Sequence, residues 1–236
     1  MNKIHPLRLS GVVMLLAGLA PAAHAAIVSA STGIFGIGGS ANLVLSNDFY
    51  FADASTPFES QFDAGSTLPS WTFTTTQGGN TSHAALGPTF GGAEPTTEAG
   101  AIHSGSGSAT VQWSFDWTAS GSGAAFIDVD YLYSVTLQGL AGGESALASS
   151  YISVLRDGTS QRSEALHYLN QTAGNDFDEG HLLLPFDVLA GDWGSFTITL
   201  ASNALAAPVP EPGTLLLMGA GVVGMGVVRR RRRHLA

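Results

Sequence analysis

The sequence of 236 residues contains no cysteine. This absence excludes disulfide bonds, thiol nucleophiles, thiolate metal sites and iron–sulfur clusters. A protein without covalent cross-links has to be held together by its buried apolar core. A segment of about 180 residues is long enough to build such a core, because a domain of that size buries well over half of its unfolded surface.

Positive charge is nearly absent from the middle of the chain. Between residues 26 and 207 only Arg156 and Arg162 are basic, whereas 17 of the 18 acidic residues lie there, which gives this segment a formal net charge of −15. An acidic surface repels phosphate backbones, so we expect no nucleic-acid partner. The same charge could attract divalent cations, although solubility alone also explains it.

The motifs of several common catalytic sites are missing as well. The chain has no Gly-x-Ser-x-Gly elbow, no His-Glu-x-x-His helix and no Gly-x4-Gly-Lys phosphate loop. The glycine-rich stretch Gly33–Gly39 lacks the spacing of a phosphate loop, and we interpret it as a flexible entry to the first strands. We therefore expect no enzyme, no catalytic residue and no cofactor, with an unrecognised hydrolase as the weakest alternative.

Alternating apolar and polar residues predict an all-β body over residues 26–207. The clearest strands are Ala109–Thr118 and Ala125–Leu137, and their short Gly- and Ser-rich link predicts an antiparallel hairpin. Gly87–Gly107 is poor in apolar residues and is predicted to be a long loop. The weaker strand candidates are Ile27–Thr32, Ala41–Leu45, Phe49–Phe51, Ser70–Thr75, Tyr151–Arg156, Ala165–Asn170, His181–Phe186 and Ser195–Ala201.

About ten short strands in one domain fit an antiparallel β-sandwich of jelly-roll type. A closed barrel fits the pattern nearly as well. No repeat of fixed period is visible in the sequence, which argues against a solenoid or a propeller.

Residues 1–25 have the features of a secretory signal peptide. Lys3 and Arg8 give the segment a positively charged N-terminal region, and Leu9–Ala20 is apolar. The apolar run is too short to span a bilayer well, so cleavage is favoured over an uncleaved anchor. Such a segment implies Sec-type export machinery as a partner. The small residues that define the predicted cleavage site are Ala23, Ala25 and Ala26, the last being the expected start of the mature chain.

Residues 208–236 form a tail of three parts: a proline-rich break, the apolar run Gly213–Val228 and a block of arginines. At about 1.5 Å per residue the apolar run gives roughly 24 Å of helix, short of the about 30 Å of a bilayer core. We predict one short transmembrane helix there. By the positive-inside rule the arginines stay cytoplasmic and residues 26–207 lie on the opposite side. These membrane-orienting residues are Arg229, Arg230, Arg231, Arg232 and Arg233.

The order of these parts resembles the PEP-CTERM sorting signal of Gram-negative bacteria, whose motif corresponds to Pro210, Glu211 and Pro212. The resemblance implies that an exosortase-type membrane enzyme recognises the motif and removes the tail. The precursor would occupy the inner membrane transiently, and the body would pass to the cell surface or an exopolysaccharide matrix. The resemblance covers only about Val209–Arg233. A plain single-span anchor on a periplasmic protein is the alternative.

Two groups of acidic residues in the body are candidate cation sites. Asp128 and Asp130 share one face of a predicted strand, so they are either solvated or bridged by a cation. Asp176, Asp178 and Glu179 belong to the densest cluster of side-chain oxygens in the sequence. That cluster is either a calcium-binding loop or a solvated acidic turn.

Histidines and tryptophans complete the candidate residues of the body. Trp113 and Trp117 lie on the predicted core face, and Trp71 and Trp193 could offer flat surfaces for sugar stacking, Trp193 being the better candidate for exposure. A surface or matrix protein is therefore our first hypothesis for the body, and a carbohydrate-binding module is the second. The histidines show no ligand spacing, and we expect surface or capped residues: His83, His103, His167 and His181.

Overall fold

The computed structural model describes residues 26–77, 80–88, 95–102, 104–140 and 145–207. The predicted signal peptide, the sorting tail with its predicted transmembrane helix, and His103 lie outside these residues. The part of the chain that is described contains no helix long and apolar enough to cross a membrane.

The described residues of the body lie mostly in β-strands. Alternation of buried and exposed residues runs through most strands, as expected where one face of each strand packs against a core. The strands are β1 (Ile27–Gly39), β2 (Leu43–Thr56), β3 (Glu59–Gly65), β4 (Trp71–Gln77), β5 (Asn80–Pro88), β6 (Pro95–Ile102), β7 (Gly105–Ala119), β8 (Gly123–Gln138), β9 (Ser145–Arg156), β10 (Arg162–Asn170), β11 (Gly174–Val188) and β12 (Trp193–Ala207).

These strands form two six-stranded sheets in which every pairing is antiparallel. The first sheet has the order β11-β8-β1-β6-β5-β4, and the second has the order β10-β9-β12-β7-β2-β3. The prediction of an all-β fold with two antiparallel sheets is confirmed, and two separate sheets replace the closed-barrel alternative. The jelly-roll character stays a prediction.

The two sheets pack face to face, but their contact differs between the two ends. One core cluster is aromatic and aliphatic, with Trp117 and Phe196 from the second sheet against Ile127 and Phe186 from the first. At the other end the buried residues are mostly alanines. They are Ala26, Ala30, Ala99, Ala101, Ala146, Ala148, Ala204 and Ala206.

Small residues allow the sheets to approach closely at the alanine-rich end. A Cβ atom at Gly107 of β7 would overlap the backbone carbonyl oxygen of His83 in the opposite sheet. Four buried hydroxyl side chains also connect the sheets. The Oγ atoms of Thr97 and Ser202 hydrogen-bond at 2.8 Å, and Thr32 hydrogen-bonds with Ser150.

The predicted hairpin of Ala109–Thr118 with Ala125–Leu137 is wrong, although both strands exist. β7 pairs with β2 and β12, whereas β8 pairs with β1 and β11. The link between them crosses from one sheet to the other and is fixed by the backbone of Asn42, whose carbonyl oxygen accepts a hydrogen bond from the Ser120 amide at 2.8 Å. The alternation of apolar and polar residues identified which face of each strand is buried. It did not identify the sheet to which the strand belongs.

Three further predictions of local structure are wrong. The predicted loop Gly87–Gly107 contains β6 and the beginning of β7, because its small residues pack where the sheets are close. The predicted flexible entry Gly33–Gly39 belongs to β1. Of the predicted strand Ala41–Leu45 only the part from Leu43 belongs to β2, and Phe49–Phe51 belongs to the same strand, whose register shifts at a bulge where Asn47 has a φ of 57°. The sequence also did not predict β3, β5 or β6.

Replacing Gly107 by alanine should strongly destabilise the body, because the added Cβ would overlap the His83 carbonyl oxygen. Overpacking of this kind costs about 1–3 kcal/mol or more, which denaturant unfolding would measure. Gly65→Ala is the matched control, since a Cβ there meets nothing within 4 Å. We expect it to change stability by less than about 0.5 kcal/mol. Equal stability of the two variants would contradict the close approach of the sheets.

Candidate functional site

Two carboxylates and one imidazole converge on the outer face of the first sheet. Asp128 and Asp130 lie two residues apart on β8, and His181 of β11 stands directly opposite Asp130 in the strand register. The Nδ1 atom of His181 is 3.0 Å from Oδ1 of Asp128 and 3.0 Å from Oδ1 of Asp130. One donor atom from each of the three side chains lies within 4.8 Å of the others.

Glycines of the neighbouring strand leave space beside these carboxylates. Gly36 and Gly38 of β1 stand opposite Asp130 and Asp128. A Cβ atom at Gly36 would lie 3.2 Å from Oδ2 of Asp130, and one at Gly38 would lie 3.5 Å from Cβ of Asp128. A larger residue at Gly36 would therefore crowd the carboxylate group.

The two carboxylates act electrostatically on the imidazole of His181. Nδ1 of His181 hydrogen-bonds to Asp130, and this bond, helped by the charges of both carboxylates, raises the pKa of His181 above its ordinary value. Of the two carboxylates, Asp130 has hydrogen-bond geometry to this nitrogen. Oδ1 of Asp128 is inaccessible to solvent and accepts no hydrogen bond from the described residues, although Nδ1 lies close to it.

This arrangement offers two oxygen donors and one nitrogen donor to a cation. The sequence predicted the shared face of Asp128 and Asp130, and the structure confirms it. His181 is a surface residue as expected, and the pairing of β11 with β8 brings it to both carboxylates, a neighbourhood that the sequence did not predict. Spacing along the chain could not reveal this, because 51 residues separate His181 from Asp130.

The acidic stretch around residues 176–179 does not form the predicted turn. It belongs to β11, so Asp176 and Asp178 lie on one face of the strand and Glu179 on the other. Oδ1 of Asp176 accepts a hydrogen bond from the Tyr133 hydroxyl at 3.1 Å. An extended strand cannot wrap these oxygens around one calcium ion as a looped backbone does.

Aromatic side chains form a second polar cluster near the edges of the two sheets. The rings of Tyr133 and His167 stack with centroids 3.4 Å apart, and the Tyr131 hydroxyl lies 3.2 Å from Nε2 of His167. Burial raises the pKa of both tyrosines. Burial also lowers the pKa of His167, while the charges of Asp176 and Asp178 oppose this shift.

The tryptophans lie as the sequence predicted. Trp117 is almost completely buried and Trp113 is partly buried, so both are packing residues. Trp193 is 83% exposed, which confirms its predicted exposure. Trp71 is partly buried against a core cluster. Of the other described histidines, His83 lies 3.8 Å from the Glu98 carboxylate.

A cleft that the sequence did not predict lies on the outer face of the second sheet. The rings of Phe51 and Phe62 are 6.5 Å apart and border a volume of about 260 Å³ with Asp53, Thr110 and Gln112. Phe62 is 64% exposed. Because its strand β3 was not predicted, the sequence gave no indication that this ring stands beside Phe51.

The predicted sorting residues of the tail, the arginine block, Ala23 and Ala25 lie outside the described residues. Ala26, the expected start of the mature chain, is 1% exposed and belongs to the alanine-rich cluster. A body that begins at this residue therefore keeps its first side chain inside the core.

His167 should titrate below its ordinary pKa of 6.5, because burial disfavours its charged form. As the pH falls below that value, the unfolded chain binds a proton that the folded chain resists, so stability should decrease. NMR titration of the imidazole would measure the pKa. Asp176→Asn removes an opposing charge and should move the pKa further down. A pKa at or above 6.5 in the unmodified protein would contradict the assignment.

Comparison with known protein families gave a match in the C-terminal tail. The family model of the PEP-CTERM protein-sorting motif matches residues 208–233. Neither the curated proteins nor the solved structures include a match to the chain. The match contains Pro210, Glu211, Pro212 and the arginine block, so the resemblance seen in the sequence is confirmed. The C-terminal tail of this chain carries a PEP-CTERM signal, which indicates an exported protein that is processed by exosortase and sorted toward the cell surface of a Gram-negative bacterium.

Proposed function

We propose that this chain is a non-enzymatic surface or matrix protein that associates with exopolysaccharide or biofilm after sorting. Residues 1–25 direct Sec-type export and are removed. The apolar run Gly213–Val228 holds the precursor in the inner membrane, with the body in the periplasm, until exosortase removes the tail. The match of the sorting motif to residues 208–233 is the observation that carries this proposal.

Within the tail, each part has a separate physical role. Pro210 and Pro212 disfavour helix, which keeps Glu211 in an extended segment that an enzyme can bind. The apolar run that follows is marginal in length for a permanent anchor. The arginines Arg229–Arg233 orient the run by remaining on the cytoplasmic side.

The charge of the body is consistent with its release from the membrane after processing. A segment with a formal net charge of −15 is repelled by anionic lipid headgroups. Once the tail is removed, electrostatic attraction does not hold the body at the membrane. The acidic surface also favours solubility in a hydrated matrix.

Glu211→Ala should leave unprocessed precursor in the inner membrane, because the substitution removes the charged residue of the recognition motif. Intact-mass and C-terminal peptide analysis of membrane and medium fractions from the native host would measure this. The unmodified protein should be released as a chain that starts at Ala26 and ends near Pro210. Glu59→Ala, a change on exposed β3, is the matched control and should be released normally. Release of Glu211→Ala at the normal level would refute the role of the motif.

A carbohydrate-binding body is the second candidate, and the cleft between Phe51 and Phe62 favours it. Flat aromatic rings stack on the apolar faces of sugars, while Asp53, Thr110 and Gln112 offer polar groups to sugar hydroxyls. Neither ring was among the tryptophans that the sequence suggested for this role. Of those tryptophans, Trp193 remains an exposed candidate at a separate position, the start of β12.

Phe62→Ala should weaken binding of the tail-processed protein to polysaccharide purified from the host by roughly two- to tenfold, the expected effect of losing one stacking ring. Phe177→Ala is the matched control, since Phe177 is 65% exposed but lies on the first sheet. Isothermal titration would measure both affinities. Equal affinities of the two variants would exclude the cleft as the binding site.

A further inference from the structure

We propose that Asp128, Asp130 and His181 form a binding site for a divalent transition metal of the zinc class, with Zn²⁺ as the test ion. The site goes beyond the sorting function and does not depend on it. Its donor side chains lie on the outer face of the first sheet, which belongs to the body and not to the sorting tail.

The spacing of the donor atoms matches the requirements of such an ion. Nδ1 of His181 is 3.0 Å from one oxygen of each carboxylate. Ligand atoms placed about 2.0–2.1 Å from a tetrahedral zinc ion are separated by about 3.3 Å. The three side chains therefore need only small adjustments to surround one cation, which would take the place of the single Nδ1 proton.

A carboxylate oxygen that accepts no hydrogen bond provides a second indication. Oδ1 of Asp128 is inaccessible to solvent and accepts no hydrogen bond from the residues that the structure describes. A buried acceptor that lacks a hydrogen bond is costly. A cation between this oxygen, Asp130 and His181 would coordinate it directly, whereas the imidazole nitrogen contacts it at 3.0 Å without hydrogen-bond geometry.

The sheet holds the donors in place before any ion binds. β8 is hydrogen-bonded to β1 on one side and to β11 on the other, so both aspartates and His181 project from a fixed backbone. Gly36 and Gly38 keep the neighbouring strand free of side chains that would crowd the carboxylates. His181 is 53% exposed, which leaves an open side for solvent to supply a further ligand.

The donor set selects the class of metal. Imidazole nitrogen favours zinc, copper, iron or nickel, whereas calcium requires six to eight oxygen ligands. Two carboxylates and one histidine supply too few oxygens for calcium but leave one open tetrahedral position, which water can fill. The cation that the sequence analysis allowed between Asp128 and Asp130 is therefore assigned to the zinc class rather than to calcium.

The test is titration of Zn²⁺ into the full chain, purified in detergent and stripped of metal with a chelator. Isothermal titration should give a site that His181→Gln and Asp128→Asn each weaken by about tenfold or more. Zn²⁺ should also raise the thermal midpoint of the unmodified chain, because an ion that binds only the folded state stabilises it. Ca²⁺ at the same concentration should give a smaller rise.

Two control variants separate this site from other zinc-binding groups. His83→Gln removes a histidine that lies beside Glu98 and Thr74, and Asp178→Asn removes a carboxylate of β11 outside the cluster. Both should bind Zn²⁺ as the unmodified chain does. Three outcomes would overturn the proposal: no saturable Zn²⁺ binding, binding that His181→Gln leaves unchanged, or stabilisation by Ca²⁺ equal to that by Zn²⁺.

Discussion

The close approach of the two sheets at the alanine-rich end is the constraint on which the rest of the body depends. The described residues contain no disulfide, so the sheets are held together by buried side chains and by hydrogen bonds between hydroxyl groups, such as that between Thr97 and Ser202. Where Gly107 meets the backbone of His83, even a methyl group has no room. At the other end the sheets enclose Trp117 and Phe196, so the same two layers accommodate both the smallest and the largest side chains.

This packing leaves the outer faces of the sheets as the places where chemistry can occur. Residues that alternate with the core face project outward from a backbone that the hydrogen bonds of the sheet hold in place. Asp128 and Asp130 gain their relation to His181 in this way, and Phe51 gains its relation to Phe62. In both cases the site depends on which strands are neighbours.

The sequence predicted local alternation well and strand neighbours poorly, for the same physical reason. A period of two identifies the buried face of β7 and β8 and the burial of Trp117, because burial alternates within one strand. It carries no information about the partner strand, so β7 and β8 were wrongly paired and His181 was not linked to Asp130. β5 and β6 were missed because alanine, glycine and threonine resemble loop composition, whereas here they pack between close sheets. The tail could be recognised because its signal is contiguous.

The separation of charge along the chain connects the body with its sorting tail. A contiguous tail can act as a sorting signal independently of the fold of the body, provided that the body does not itself bind the membrane. Seventeen acidic residues between 26 and 207, against two arginines, meet this condition, while the tail carries five arginines. On the proposed route, removal of the tail thus removes five of the seven basic residues that remain after signal-peptide cleavage. The released body would keep its acidic surface and the donors of its first sheet available to cations in the matrix.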